Sequence, residues 1–358
     1  MEANLVLEVV HCMSEIHSVY PGNDWVKSSP SEVNMDEDAL NQIELELNKE
    51  LDKDGYSRYR VVIVRYGRLV AEWHKGIQPQ AQLWMESATK SIFSCILGIA
   101  IDKGGINSAD SKLIDYYPEA MDVPEGMGPK PGRYAFPKDR DITLRQLITN
   151  TSGYMKPGEN PGTKYHYQSY GMNVLNHAIA KSYGLYDVNK PHESRYNQLV
   201  DNWIRKEIGA SWSYYTFNFI PDESGVGKTN IFGYYDGVAA NALDLARLGL
   251  LWLNMGVWNK KQIVPHEWLT MATKTASAIV DNCPKEQWQY GHGFWTNDHK
   301  QYSPNLPSDS FAAAGYGHQH VWVCPSLDLV VAQGPGIWKS QENRGNQSLL
   351  RKVVESCM

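Results

Sequence analysis

The 358-residue chain has little cysteine: Cys12, Cys95, Cys283, Cys324 and Cys357, an odd number with no C-x-x-C pair. That argues against a disulfide framework or a cysteine-bound zinc site. It has no long Lys/Arg run, and its net charge of −6 offers no electrostatic reason to expect nucleic acid as a partner. No apolar run reaches the roughly 18 residues a membrane span requires, so no membrane association is expected. The first residues, MEANLVLEVVHCMSE, carry Glu2 and Glu8 and lack the basic start and long apolar run of a signal peptide. A cytoplasmic location is the expectation, although a secreted form with its signal removed would read alike. Internal repeats and low-complexity tracts are also missing from the sequence.

Length and aromatics are plentiful. The chain is long enough to bury a large core, and its 12 Trp and 21 Tyr suit such a core. The stretch Leu83 to Gly105 stands out. Ser87-Ala88-Thr89-Lys90 is followed by Ile92, Phe93, Cys95, Ile96, Leu97, Ile99, Ala100 and Ile101, and Gly104-Gly105 close the segment. A helix apolar all round is a buried helix, and glycines stop it. Residues three apart share a helix face, so the Lys90 amine can approach the Ser87 hydroxyl. Unpaired N–H groups at a helix start favour negative charge, which suits an oxyanion beside Ser87. Burial disfavours a charged ammonium and makes a lysine a usable base. This S-x-x-K spacing is that of active-site-serine enzymes. The plainer alternative is a serine near an N-cap followed by a surface lysine.

Around this stretch, Asp36 to Lys53 reads as an amphipathic helix with Leu40, Ile43, Leu47 and Leu51 at helical spacing. Ser57–Tyr66 and Leu69–His74 flank Gly67-Arg68 as a hairpin. Short helical pieces such as Thr143–Thr149, and a helix over Asn173–Ser182, fall in a Pro- and Gly-punctuated middle. Val238 to Met255 reads as a strong helix. Phe311–Ala314, His320–Cys324 and Leu327–Ala332 read as strands, and Asn346–Glu355 as a closing helix. The pattern predicts an α+β fold in which both ends of the chain share one antiparallel sheet. A single domain over residues 1–358 is expected, with a sheet lobe at about 35–86 plus 237–358 and a mainly helical lobe at about 87–236.

Five segments, in order, resemble those of the serine β-lactamase and penicillin-binding-protein-like hydrolases, nearest the branch of esterases and 6-aminohexanoate-dimer (nylon oligomer) hydrolases. They are SATKSIFSCILGIAIDKGGINSADSKLIDYYPE from Ser87, DITLRQLITNTSG from Asp141, YHYQSYGMNVL from Tyr165, the helix from Ala240 to Met255, and AAGYGHQHVWVCPSLDL from Ala313. The resemblance implies a β-lactamase-like fold, with Ser87 as nucleophile, Lys90 as its paired base and Tyr167 as the tyrosine of Y-x-N. Tyr165, Tyr170 and His166 compete with Tyr167 if the register slips. Ser169 replaces the usual asparagine. The K-T-G strand reads FAAAG here, so its basic residue is gone, which favours neutral esters or amides over β-lactams. An N–H at Ala313 or Ala314, next to Gly315, is then expected to complete the oxyanion hole with that of Ser87. His318 stands where relatives often carry glycine, and Tyr154 where a loop borders the cleft; both are candidate substrate contacts, and a surface loop tyrosine is the competing reading of Tyr154.

Two other motifs carry less. Gly227-Lys228-Thr229 is no phosphate loop, since Asp222 stands where the first glycine is required. His318-Gln319-His320 lacks a third ligand nearby. The expected activity is hydrolysis of a small ester or amide through an acyl-enzyme on Ser87, with neither metal nor cofactor. A true β-lactamase or penicillin-binding-type peptidase, and a non-catalytic binding protein, are the alternatives. Substrate and oligomeric state are left open.

Overall fold

The computed structural model describes residues 19–53, 58–218, 229–335 and 347–357. Among them the strands are β1 (Tyr59–Arg65), β2 (Arg68–Lys75), β3 (Leu83–Trp84), β4 (Ser213–Asn218), β5 (Tyr234–Ala240), β6 (Val257–Trp258), β7 (Lys261–Gln262), β8 (Trp295–Thr296), β9 (Phe311–Gly315), β10 (Gln319–Cys324) and β11 (Leu329–Gln333). The main sheet runs β2-β1-β11-β10-β9-β8, antiparallel throughout. The expected sharing of one sheet by both ends is therefore observed: Val61 pairs with Gln333 and Arg65 with Leu329. The β1–β2 hairpin closes through Tyr66-Gly67 at φ 50° and 70°, the left-handed pair that a two-residue turn demands.

Strand alternation divides the core. Val61 and Ile63 of β1, with Trp322 and Val331, face Leu40, Ile43 and Leu47 of the Glu37–Lys53 helix and Leu349, Leu350 and Val353 of the Gln347–Glu355 helix. Val62, Val64, Val321 and Val330 face the larger core on the other side. There the Ala242–Leu253 helix lies so close that a Cβ on Gly249 would meet Val330 Cγ1 at 2.4 Å. The Thr89–Asp102 helix crosses this core with every residue from Thr89 to Ala100 buried. It ends where Gly104 takes φ 73°.

Several boundaries differ from expectation. Val238 to Ala240 are strand, not helix: they pair with Ser213, Tyr214, Leu83 and Trp84, and the helix begins only after Asn241 caps the Asp244 N–H at 2.9 Å. Alanines suit a helix locally, and sheet pairing overrides them. The result is a second sheet, β3-β5-β4, whose strand β4 falls within the stretch expected to be helical. The helix expected from Asn173 starts at Ser169. Of the Gly-Lys-Thr segment, Gly227 and Lys228 lie outside the described residues, and Thr229 opens a short helix to Phe232. No helix among the described residues is long and apolar enough to cross a membrane.

Three histidines are buried neutral. Burial pulls His177 and His320 down to about 4 and His292 to about 3, from an ordinary 6.5. A folded-state value below the unfolded one means that the unfolded chain takes up protons first as pH falls. The stability these groups allow is complete above pH 6.5 and is lost toward pH 4, each unit of separation being worth about 1.4 kcal/mol. The thermal midpoint is expected to fall steeply below pH 6. A midpoint flat from pH 7 to pH 4.5 would contradict this.

Candidate active site

Ser87 sits where the second sheet meets the buried helix. β3 pairs with β5, and the Met85 N–H continues the ladder to Val238 O at 2.8 Å. The chain then turns sharply: Glu86 takes φ 51°, unusual for a residue with a side chain, and Glu86–Ala88 form a 3₁₀ turn leading straight into the helix. Tyr235 of β5 holds this turn, its buried hydroxyl donating to Glu86 O at 2.6 Å. Lys90, one turn on and only 1% exposed, places Nζ 2.7 Å from Ser87 Oγ. Two aromatic rings flank that amine, Tyr167 with its centroid at 5.2 Å and Tyr235 at 5.3 Å. Burial raises the Glu86 carboxyl above its ordinary range, with the nearby Lys90 charge opposing.

Tyr167 is positioned by Asn150, from the TNTSG segment. The Asn150 carbonyl accepts the His166 N–H at 2.8 Å, and its Oδ1 accepts the Gln168 N–H at 3.0 Å, so one residue grips the backbone on both sides of Tyr167. Asn150 does so at φ 58°, a conformation asparagine tolerates. Trp295 of β8 stacks on the Tyr167 ring at 5.7 Å, and Tyr290 meets it edge-on at 5.8 Å. Among the described residues the Tyr167 hydroxyl makes no hydrogen bond to Ser87 or Lys90; the ring neighbours the amine instead.

The third wall is β9. β8 pairs with Phe311 and Ala312 and stops, so the edge beyond, at Ala313, Ala314 and Gly315, has no strand partner among the described residues. This free edge abuts the Ser87 turn. A Cβ on Gly315 would meet Met85 O at 2.1 Å and the Ala88 nitrogen at 3.0 Å. Such contact leaves no room for a side chain unless the Ser87 turn shifts. His318 lies in the β9–β10 turn at φ 61°, half-buried, its imidazole pulled below its ordinary pKa by burial.

The structure thus brings together Ser87, Lys90, Tyr167 and the β9 edge. Tyr154 and Ser169 are elsewhere, lining a cavity of about 240 Å³ that reaches the site through Tyr167. Tyr154 is no surface loop tyrosine: it is fully buried, and its hydroxyl donates to Ala120 O at 2.7 Å. Burial, then Asp139 and Asp122, push that phenol well above its usual range. Ser169 is the first residue of its helix. Nothing in the sequence marks Tyr235 or Trp295 as part of the site, and Asn150 is marked only by the family likeness of its TNTSG segment.

The β-lactamase family model matches residues 47–333, a span that holds every element of this constellation. The chain belongs to the β-lactamase family. That family consists of serine hydrolases, esterases and amidases among them. The fold is also that of a β-lactamase-like protein from Bacteroides dorei, with 14% identity, a TM-score of 0.66, and coverage of 90% of this chain and 99% of that one. A family VIII carboxylesterase aligns with 14% identity and a TM-score of 0.62 over 88% of this chain and 97% of its own. A 6-aminohexanoate-dimer-hydrolase-like protein from Bacillus anthracis aligns with 17% identity and a TM-score of 0.58 over 92% and 86%. Likeness at these identities speaks to the β-lactamase-like fold alone. No curated protein is significantly similar in sequence.

Proposed function

We propose that the chain hydrolyses an ester or amide of a small molecule through an acyl-enzyme on Ser87. The observation that carries this is the 2.7 Å contact between Lys90 Nζ and Ser87 Oγ, with the buried Lys90 amine flanked by two aromatic rings. Ser87 Oγ attacks the carbonyl carbon while its proton passes along that contact to the amine. The aromatic faces stabilise the ammonium so formed. The Ser87 N–H and an N–H on the free β9 edge hold the oxyanion. When the tetrahedral intermediate collapses, the departing alcohol or amine takes a proton from Tyr167, which recovers one from the Lys90 ammonium. Water then attacks the acyl carbon, returns Ser87 to its hydroxyl form and releases the acid.

The acyl-enzyme is testable directly. Rapid quenching during turnover of p-nitrophenyl acetate should yield one acetyl group on the peptide that carries Ser87. Hydrolysis with the acetyl on another residue, or with none trapped at any time, would count against the proposal.

The Asn150 clamp makes a separate prediction. Asn150→Ala should cost about 10- to 100-fold in kcat, because a small displacement of Tyr167 suffices for such losses. Asn150→Asp keeps an acceptor oxygen toward the Gln168 N–H and should recover most of that rate. Equal loss in both variants would mean that the residue only supports the fold.

A further inference from the structure

The cavity next to Tyr167 has a charge of its own. Lys130, Arg133, Lys156 and His166 line it, and no carboxylate does among the described residues. Lys156 is 4% exposed, and its Nζ is buried without a hydrogen-bond partner. Glu159 forms an ion pair with it at 3.7 Å, beyond hydrogen-bond reach, and is shared with His166 at 3.2 Å. Lys138 is not available to the cavity, since it is paired with the buried Asp139. Neither Lys130 nor Arg133 has an ion-pair partner among the described residues. An almost fully buried ammonium with unmet donors is costly unless something completes it.

Resting on the acyl-enzyme reading above, we infer that this cavity takes a carboxylate carried by the substrate, so that the enzyme acts on esters or amides of anionic molecules. Lys156 supplies the buried donor, and Arg133 and Lys130 close over the anion from the loop before it. That loop is folded back on itself, the Arg133 N–H donating to Lys130 O at 3.0 Å, so its two cations are held on one turn. A Cβ on Gly128 would collide with Arg133 O at 1.4 Å, which ties the turn to glycine at that position. An anionic substrate departs from the neutral one expected from the FAAAG strand, whose basic residue is missing. A volume of about 240 Å³ suits one end of a substrate, not a whole drug-sized molecule. Burial, with help from Arg133 and Lys138 and against Glu159, lowers Lys156 to about 8.

The test separates this from the nucleophile assignment because it reads binding, not turnover. Full-length Ser87→Ala protein is titrated calorimetrically with monomethyl adipate, a monoanion, and with its neutral counterpart dimethyl adipate. The monoanion should bind at least about tenfold more tightly, the worth of one charge-assisted hydrogen bond. That preference should shrink below about threefold when Lys156→Met is added. The pair Lys130→Gln and Arg133→Gln, at positions exposed enough to leave folding intact, should shrink it too. Equal or tighter binding of the diester, a preference that survives both sets of substitutions, or no binding of either ester would overturn the inference. Failure of acetyl transfer to Ser87 would instead overturn the reading on which it rests.

Discussion

Lys90→Met is expected to lower kcat/KM for ester hydrolysis by about 10³-fold while leaving the thermal midpoint unchanged or slightly higher. The two halves of that expectation come from one fact. Lys90 is 1% exposed and held between two aromatic rings, with Ser87 Oγ as its polar contact at 2.7 Å. Methionine fills nearly the same volume, restores the apolar character of the surrounding helix, and removes a buried polar group. What it cannot do is accept the Ser87 proton. A folded protein with an unimpaired rate would remove the amine from the chemistry. A protein that unfolds would instead show that the amine is structural.

Gly315→Ala is expected to be the second most damaging change, with about a 10²-fold loss of kcat in a protein that still folds. The added methyl would stand 2.1 Å from Met85 O and 3.1 Å from Glu86 Cβ, and both neighbours belong to the turn that presents Ser87. That turn is pinned from its other side by Tyr235 and the Val238 ladder, so the strain falls on the gap between Ser87 and the β9 edge. The oxyanion is expected to lie in that gap. Acylation by an activated ester should therefore slow along with kcat. An unchanged rate of acylation would show that the β9 edge does not serve the oxyanion.

What the sequence revealed was what is local. The Ser87–Lys90 pair is three residues apart on one helix, and the apolar run behind it could only be a core helix. The hairpin and the final strands follow from alternation over a few residues, with boundaries off by at most two. What stayed hidden depends on distance along the chain. Tyr235 reaches the Ser87 turn across 149 positions, and nothing in Tyr234-Tyr235 announces that partner. Val238–Ala240, the end of β5, reads as helix because alanine carries little strand signal until β3 and β4 pair with it. Tyr154 reads as a cleft-side or a surface loop tyrosine, yet its ring is buried and its hydroxyl finds a carbonyl in a segment 34 residues earlier. The cationic cavity gathers side chains from around Lys130, Lys156 and His166, none of which forms a charge run in sequence.

The central claim is that Ser87 is an activated nucleophile. It is tested most directly by intact-protein mass after incubation with a fluorophosphonate, on the natural chain and on Ser87→Ala. The account predicts a single adduct on the natural chain and none on the variant. An adduct that persists in Ser87→Ala, or its absence from a natural chain that is hydrolysing ester, would contradict it.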